Sequence, residues 1–318
     1  MIKLVKNLVV YSVLILIALE VLVRVFHLYN DMPERYVDSK NINKWIPGQT
    51  GYAVYGNRVQ NMAEYHINES GYNSYREFKP TEEKFELALI GDSYIEGFHQ
   101  NYYSSIGKRI EDEFPGIEVY EYGHSANDMA DQLYLVYSNR ELFDKIDKII
   151  FYIKFENDLN RDEYRHIAHH PRFMMLRKSK LLEYAINIGV MDPVKELMGD
   201  IREMAKPKEP RTEKAPLNDK VLEANRIKNF DALVERYGFD VDKSAILLDS
   251  RITPTAFIEH LRDLDIDVID FASTFEESGG SRRTTLIYDK HWNGFGRKLI
   301  SELISQYIQE DVQAMESK

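Results

Sequence analysis

The sequence predicts an α/β protein, a three-layer α/β/α sandwich around a five-stranded parallel sheet. From residue 85 onward, short apolar runs alternate with amphipathic stretches of helix length, which is typical of a parallel sheet with helices on both faces. The chain has 318 residues, of which 44% are hydrophobic, so it is long enough to bury a sizeable core. A separate apolar run near the N-terminus adds a membrane segment to this prediction.

The order of the elements specifies the type of sandwich. The predicted strands cover residues 85–91, 117–123, 148–155, 244–250 and 266–271. Helical patterns lie near residues 102–114, 127–143, 219–238, 254–264 and 294–309. Five strands joined by right-handed helical crossovers form a sheet of the flavodoxin type, in which ligands bind at the carboxyl ends of the strands.

Residues 1–27 are predicted to form an N-terminal transmembrane signal anchor. The run from residue 8 to residue 26 is mostly apolar and, as a helix, measures roughly 28 Å, against a hydrocarbon core of about 30 Å. Glu20 and Arg24 interrupt it, but they are four residues apart with the acid first, so they can pair on one helix face. Lys3 and Lys6 precede the run, which favours a cytoplasmic N-terminus and an extracytoplasmic remainder.

Two alternatives to an uncleaved anchor were weighed. A cleaved signal peptide needs small residues at its cleavage site, and none follows the apolar run in the required spacing. A buried helix of a soluble protein would make the basic-then-apolar start of the chain a coincidence. The signal anchor therefore explains the segment best.

Two segments depart from the alternating pattern. Residues 28–84 are polar, aromatic and punctuated by proline and glycine, which predicts an extended juxtamembrane segment before the domain of residues 85–318. The interval between the third and fourth strands far exceeds the usual crossover length. We interpret residues 159–218 as an insertion of two helices and a flexible loop rich in proline and charge. The insertion caps the site, faces the membrane, or has no role in chemistry.

Composition excludes several classes of protein. The net charge is -11, and because the acidic residues are spread along the chain, a general nucleic-acid binder is not expected. The chain has no cysteine, which excludes disulfides, thiolate metal sites and cysteine nucleophiles. We expect neither a cofactor nor a bound metal.

Polar residues follow the first three predicted strands and precede the last helix. The triplet 91–93 ends in Ser93, Gly123 closes the second strand, and Asn157 follows the third. The carboxyl ends of parallel strands lie along one sheet edge, so we expect these residues to be neighbours. Asp289 and His291, two residues apart before the last helix, can point to the same side of an extended segment and reach that edge.

This set of residue types suits acyl transfer. A serine needs a base, and the base needs a partner that fixes its tautomer, so Ser93, His291 and Asp289 can form a catalytic triad. The backbone N–H groups of Ser93 and Gly123 and the side-chain amide of Asn157 can stabilise the developing oxyanion. Such a donor is worth about 3 to 4 kcal/mol of barrier where one has been removed.

Four stretches resemble the sequence blocks of the GDSL/SGNH hydrolase family, in the family's order: LALIGDSYIEGF, VYEYGHSANDMADQ, FYIKFENDLN and YDKHWNGFGRKLISELI. The apolar N-terminus is similar to the anchors common among bacterial members. The resemblance implies the SGNH hydrolase fold for residues 85–318, with Ser93 as nucleophile, His291 and Asp289 as base and acid, and Ser93, Gly123 and Asn157 as the oxyanion hole.

The sequence departs from the family pattern at three places. Tyr94 replaces the leucine of the family name, and Glu156 stands where many members have glycine. The acid and the base are spaced D-x-H, where most esterases of the family have D-x-x-H. The shorter spacing, with a tryptophan after it, resembles the branch that acetylates surface polysaccharides.

The resemblance implies a membrane-anchored, extracytoplasmic serine esterase or O-acyltransferase. The expected substrate is an ester, with acetyl groups of a cell-surface glycan favoured. The expected partners are the membrane, an acylated carbohydrate or other ester, and membrane-bound acyl-transfer proteins. The alternative is a catalytically silent glycan-binding or scaffold protein of a surface-polysaccharide assembly, which the fold alone would permit.

Three other interpretations compete at single motifs. Ser93 as an N-cap residue would only cap the next helix. Ser125 in GHSAN would be the serine of an α/β-hydrolase elbow, although the final glycine of that motif is missing. The run HIAHH, with Asp162 upstream, would bind zinc if helical, or otherwise lie on a solvated face.

Overall fold

The structure is a computed structural model that describes residues 2–56, 59–166, 178–190, 192, 219–279 and 282–316. The chain divides into two compact units. The smaller unit comprises Met1–Met32, Tyr52–Met62 and Ala168–Ala215. The larger unit comprises Pro33–Gly51, Ala63–Ile167 and Pro216–Lys318.

The secondary structure alternates between strands and helices over most of the chain. The described strands are β1 (Arg35–Val37), β2 (Asn43–Trp45), β3 (Thr50–Tyr55), β4 (Asn61–His66), β5 (Phe85–Gly91), β6 (Ile117–Gly123), β7 (Lys148–Tyr152), β8 (Ser244–Leu248) and β9 (Asp267–Asp270). The described helices are α1 (Ile2–Val25), α2 (Ser93–Glu96), α3 (Ile106–Glu113), α4 (Met129–Ser138), α5 (Arg140–Phe143), α6 (Phe155–Asp158), α7 (Lys180–Asn187), α8 (Asp219–Tyr237), α9 (Thr255–Asp263), α10 (Ala272–Gly279) and α11 (Gly294–Glu316).

The main sheet lies in the larger unit and confirms the predicted five parallel strands. Its order is β6-β5-β7-β8-β9. Strand β5 pairs with β6 from Phe85 opposite Ile117 to Gly91 opposite Gly123, and it pairs with β7 on its other side. The direction of winding changes at β5, so the ligand crevice of such a sheet is expected between the carboxyl ends of β5 and β7.

Two apolar cores cover the two faces of this sheet. On one face, alternate residues such as Ala88 and Ile90 pack against α4, α8 and α9. On the other face, Leu87 and Leu89 pack with α3, α10 and α11. All seven residues of β5 are buried, and apart from Glu86 they are apolar residues and a glycine, which explains why this strand appears in the sequence as a mostly apolar run. The three-layer α/β/α sandwich is thereby confirmed.

The element boundaries differ from the prediction mainly after the central strands. Strand β7 ends at Tyr152 because the chain turns there: the side chain of Asp158 accepts the backbone N–H of Lys154 at 2.7 Å and helix α6 follows. Helices α2 and α6 have four residues each, which is too short for a periodic sequence signal. Helix α11 continues to Glu316, beyond its predicted end.

The segment of residues 28–84, predicted as extended, contains regular structure and core side chains. Strands β1 and β2 form one two-stranded sheet, and β3 and β4 form another. Trp45, Tyr72 and Phe78 are buried in the larger unit. Aromatic side chains bury large areas each, so even a segment without long periodic elements becomes part of the domain core.

The smaller unit contains α1, the helix predicted to be the anchor. It has 24 residues and a window of mean hydropathy 2.5, so it is long and apolar enough to cross a membrane, although a signal sequence has the same properties. Most of its side chains are exposed, and Val23 is buried.

Helix α7, in the insertion, contacts the end of α1. The carboxylate of Glu20 accepts the backbone N–H groups of Lys180 at 3.0 Å and Leu181 at 2.8 Å, and the hydroxyl of Ser179 at 3.0 Å. Arg24 donates to Glu20 at 2.8 Å, which is the pairing predicted from their spacing. These contacts join α7 to the end of α1, and the role of the insertion stays a prediction. The proline- and charge-rich loop of the insertion lies outside the described residues.

Candidate active site

Ser93 is the first residue of α2, directly after β5. The residue that caps this helix is Asp92, whose Oδ1 accepts the backbone N–H of Tyr94 at 2.9 Å. The other carboxylate oxygen of Asp92 forms an ion pair with Lys154, which follows β7. Capping is thus performed by Asp92, and the interpretation of Ser93 as a mere cap is wrong.

The structure brings Ser93, His291 and Asp289 together in one chain of hydrogen bonds. Ser93 Oγ lies 2.7 Å from His291 Nε2, and His291 Nδ1 lies 2.6 Å from Asp289 Oδ1. Burial acts to raise the pKa of Asp289, but the hydrogen bonds from the His291 ring and backbone outweigh it and lower the pKa below its usual value. Asp289 is therefore ionised at neutral pH and favours the tautomer with the proton on Nδ1, so Nε2 can accept from Ser93.

The segment that carries the acid and the base is fixed at both of its ends. Leu286 donates its backbone N–H to the carbonyl of His291 at 2.9 Å, closing a hairpin-like turn. Trp292 is buried against Tyr152 and other aromatic side chains, and the side chain of Asn293 accepts the backbone N–H groups that begin α11. These anchors orient His291 toward the end of β5.

The imidazole of His291 contacts two other rings, those of Tyr94 and His99. The ring centroid of Tyr94 is 4.5 Å away, and that of His99 is 4.0 Å away at an interplanar angle of 19°. The side chain of His99 is 4% exposed, and its Nε2 lies 3.5 Å from Oδ2 of Asp289. Sequence reasoning missed His99, because no spacing pattern links a histidine after the first block to a loop about 190 residues later.

A cavity of about 810 Å³ opens onto the triad. Its walls include Ser93, Asn157, Asp289 and His291, so four predicted site residues share one cavity. Charged side chains complete the lining, namely Lys154, Glu156, Arg251, Asp289 and Lys290. Glu156, the residue that departs from the family pattern, is thus a wall of this cavity.

A second cavity of about 570 Å³ shares the wall formed by Tyr94, Lys154 and Arg251. It is lined largely by aromatic and aliphatic side chains, among them Tyr152, Phe271, Phe275, Tyr288 and Trp292.

The two predicted oxyanion donors outside α2 have different surroundings. Asn157 lies in α6, is exposed and borders the triad cavity. Gly123 is the buried last residue of β6, and a β carbon there would lie 2.0 Å from the backbone nitrogen of Glu96. Close packing of α2 on β6 therefore requires this glycine. Ala126, in the loop that follows, has a φ of 70°, a region that favours glycine, so this loop is strained.

Ser125, the serine of the competing motif, has a buried carboxylate as its partner. Its hydroxyl and its backbone N–H both donate to Glu96, and Trp45 Nε1 donates to the same carboxylate at 2.8 Å. Burial raises the pKa of Glu96 to about 7, although the hydrogen bonds from Ser125 and Trp45 lower it in part. This network fixes the loop after β6 to α2. The histidine base, His291, contacts Ser93 and therefore favours Ser93 over Ser125 as the nucleophile.

The zinc interpretation of HIAHH concerns residues that are only partly described. His166 and Asp162 belong to the described chain, but His169 and His170 lie outside the described residues.

Comparisons with known proteins add the following findings. No protein-family model matches the chain, and no curated protein matches it. Among solved structures, a lipase/acylhydrolase from Enterococcus faecalis is 14% identical with a TM-score of 0.41, covering 71% of this chain and 96% of its own. A member of the lipolytic protein G-D-S-L family from Veillonella parvula DSM 2008 is 14% identical with a TM-score of 0.39, covering 69% and 95%.

A carbohydrate acetylesterase family member from Sinorhizobium meliloti is 14% identical with a TM-score of 0.34, covering 72% of this chain and 99% of its own. Identities and TM-scores this low carry no argument about activity. The functional argument therefore depends on the residues of this chain.

Proposed function

We propose that this chain is a serine hydrolase or O-acyltransferase of the GDSL/SGNH type that acts on an ester and is anchored in a membrane. One observation carries the proposal: Ser93 Oγ, His291 and Asp289 form a continuous hydrogen-bonded chain at the wall of an open cavity. A nucleophile, a base and an orienting acid in this order are the groups that covalent acyl transfer requires.

The proposed reaction has two steps. Ser93 Oγ attacks the ester carbonyl while His291 Nε2 takes the serine proton, and the alcohol leaves with that proton, which gives an acyl-serine. In the second step, His291 takes a proton from water or from an acceptor hydroxyl, whose oxygen attacks the acyl carbon. The bond between Ser93 Oγ and the acyl group then breaks, and Oγ takes the proton back from His291. Water yields an esterase and a sugar hydroxyl yields a transferase, and both use the same groups.

The developing oxyanion is assigned to three donors in this proposal. These are the backbone N–H of Ser93, the side-chain amide of Asn157 and the backbone N–H of Gly123. Two features support the first two donors: Ser93 begins a helix, and Asn157 borders the same cavity as the serine.

The proposed substrate class is an acetyl ester of a cell-surface glycan. The charged side chains of the triad cavity, including Lys154, Glu156 and Arg251, suit a hydrophilic substrate better than a long acyl chain. Helix α1, with Lys3 and Lys6 in its first turns, supports a single membrane crossing with the domain outside the cytoplasm.

A fluorophosphonate probe tests the enzyme proposal on the full-length protein in detergent. We expect wild type and Ser125→Ala to be labelled and Ser93→Ala to remain unlabelled. Labelling that is equal in wild type and Ser93→Ala would contradict the assignment of the nucleophile. A wild type that is folded yet unlabelled would instead support the silent glycan-binding or scaffold alternative.

Substrate class and topology need separate measurements. Acetylated sugars and short-chain aryl esters, each with and without a free sugar as acceptor, distinguish hydrolysis from transfer. Protease added to spheroplasts should digest the domain, and complete protection of the domain would contradict the proposed orientation.

A further inference from the structure

His99 contacts both the base and the acid of the triad from a separate part of the chain. Its ring stacks on His291 with centroids 4.0 Å apart, and its Nε2 lies 3.5 Å from Asp289 Oδ2. Asp289 therefore uses Oδ1 for His291 and presents Oδ2 to His99. The ring of Tyr94 also contacts His291, with centroids 4.5 Å apart.

The acid and the base need such a support because they lie on a short, partly exposed segment. The side chains of Asp289 and His291 are 30% and 20% exposed, whereas that of His99 is 4% exposed. Hydrogen bonds within the segment fix the two residues relative to each other. The ring of His99 is a buried contact that reaches both side chains from outside the segment.

The surroundings of His99 keep its ring neutral. Three titratable or charged groups act on it: Asp289, His291 and the buried guanidinium of Arg297 in α11. Burial, the neighbouring His291 and the charge of Arg297 lower the pKa of His99 well below its usual range, against the opposing effect of Asp289. A neutral imidazole can present an N–H to Asp289 Oδ2 without placing a second positive charge on the face of His291.

We propose that His99 is a positioning residue of the triad, a role that depends on the proposed function. Its ring holds the plane of His291, and its Nε2, 3.5 Å from Asp289 Oδ2, attracts that oxygen so that Oδ1 faces His291 Nδ1.

A metal site at the same residues is the competing explanation. The ligand atoms of His99, Asp289 and His291 lie within 4.8 Å of one another, close enough by distance alone. The two imidazole planes are only 19° apart, however, and nitrogen lone pairs lie in the ring plane. The lone pairs of two rings stacked face to face therefore lie in two nearly parallel planes, and one ion cannot lie in both planes at about 2.0–2.1 Å from each nitrogen. The geometry therefore favours positioning.

Two variants separate the two contacts of His99. His99→Phe keeps a ring against His291 and removes the N–H, whereas His99→Gln keeps an N–H donor and removes the ring. His260→Gln is the matched control, because His260 pairs with Asp231 on the outer face of α9. The measurement is the rate of fluorophosphonate labelling of the full-length protein as a function of pH, with a thermal melt of each variant.

In His99→Phe we expect the acid limb of the labelling profile to move to higher pH. Without the N–H donor at Oδ2, the Asp289 carboxylate stabilises the protonated form of His291 more strongly. The face of a phenyl ring also attracts a cation, which acts in the same direction. In His99→Gln the limb should stay in place while the rate falls by about tenfold or more, because the base loses its fixed plane. His260→Gln should match wild type in both readouts.

Folded variants that label at the wild-type rate with an unchanged acid limb would overturn the proposal. If a variant does not fold, histidine NMR of the wild type decides: the His99 ring should remain neutral down to about pH 5. Titration of His99 near its ordinary pKa of 6.5 would overturn the proposal. Failure of the proposed function is distinguishable, because in that case the wild type itself is not labelled.

Discussion

His291 Nδ1 lies 2.6 Å from Oδ1 of Asp289, two residues earlier in the chain, and the same oxygen accepts the backbone N–H of His291 at 3.1 Å. The D-x-H spacing thus gives the acid two contacts with the base, one to its ring and one to its backbone. Both contacts stabilise the carboxylate form, so Asp289 can orient the imidazole even though part of its side chain is exposed.

Replacing this acid tests its orienting role. We expect Asp289→Asn to lower kcat by about 10⁴-fold with the fold intact, because an amide can stabilise the wrong tautomer of His291. The fluorophosphonate labelling rate or ester turnover measures the effect. Asp263→Asn, an exposed change on α9, is the control and should be silent. Near-normal activity of Asp289→Asn would show that another group orients the base.

A methyl group at Gly123 tests the packing of α2 on β6. The added β carbon would meet backbone atoms of Ile95 and Glu96 at 2.5 and 2.0 Å, and backbone cannot move aside as a flexible side chain can. We expect Gly123→Ala to reduce the free energy of unfolding by about 1–3 kcal/mol or more, as measured by denaturant unfolding.

Gly294→Ala is the matched control for this change. Gly294 begins α11, and nothing lies within 4 Å of an added β carbon there. We expect this variant to be as stable as wild type or slightly more stable, because alanine favours helix over glycine. Equal stability of the two alanine variants would contradict the close packing of the Ile95 and Glu96 backbone on Gly123.

The buried carboxyl of Glu96 predicts a pH dependence of stability. Burial raises its pKa to about 7 from 4.5, so the folded protein binds this proton more tightly than the unfolded chain. The resulting stabilisation is fully present below pH 4.5 and declines as pH rises toward about 7. The change amounts to about 3 kcal/mol as an order of magnitude.

Glu96→Gln should remove this dependence, because a neutral amide keeps the acceptor for Trp45 and loses the titrating proton. Melting temperatures between pH 4.5 and 8 compare wild type, Glu96→Gln and the control Glu113→Gln, whose side chain is exposed. The difference between wild type and Glu96→Gln should change across this range, while the control follows wild type. Parallel curves for all three proteins would refute the assignment.

Glu20 caps the N-terminus of α7, so its removal should loosen that helix. The carboxylate accepts the N–H groups of Lys180 and Leu181. Losing a cap costs about 1 kcal/mol, which corresponds to roughly fivefold faster amide exchange. We expect this acceleration in Glu20→Ala, measured by hydrogen exchange of the full-length protein in detergent. Glu183→Gln removes a partly buried ion pair with Lys180 but leaves the Glu20 contacts in place, so it should accelerate exchange less. Equal exchange in both variants would contradict the contact.

The sequence predicted the bounds of a strand correctly where that strand is almost completely buried. Strands β5 and β6 have the predicted bounds, because each is almost completely buried, consists mostly of apolar and aromatic residues apart from its glutamates, and ends at a glycine. The short helices α2 and α6 were not predicted, since each is a single turn set by one capping or side-chain contact. The aromatic side chains of residues 33–84 have no period that would reveal their burial.

The sequence by itself determined the order of the strands, the apolar N-terminal helix and the identity of the serine, histidine and aspartate that form the triad. These follow from local composition, from periodicity and from the rule that loops at one sheet edge converge. Only the tertiary structure decided that Asp92 is the cap beside Ser93, that Glu96 is the partner of Ser125 and that His99 packs on His291. The contacts of Glu96 with Ser125 and of His99 with His291 join residues distant in sequence through side-chain packing, which no local pattern encodes.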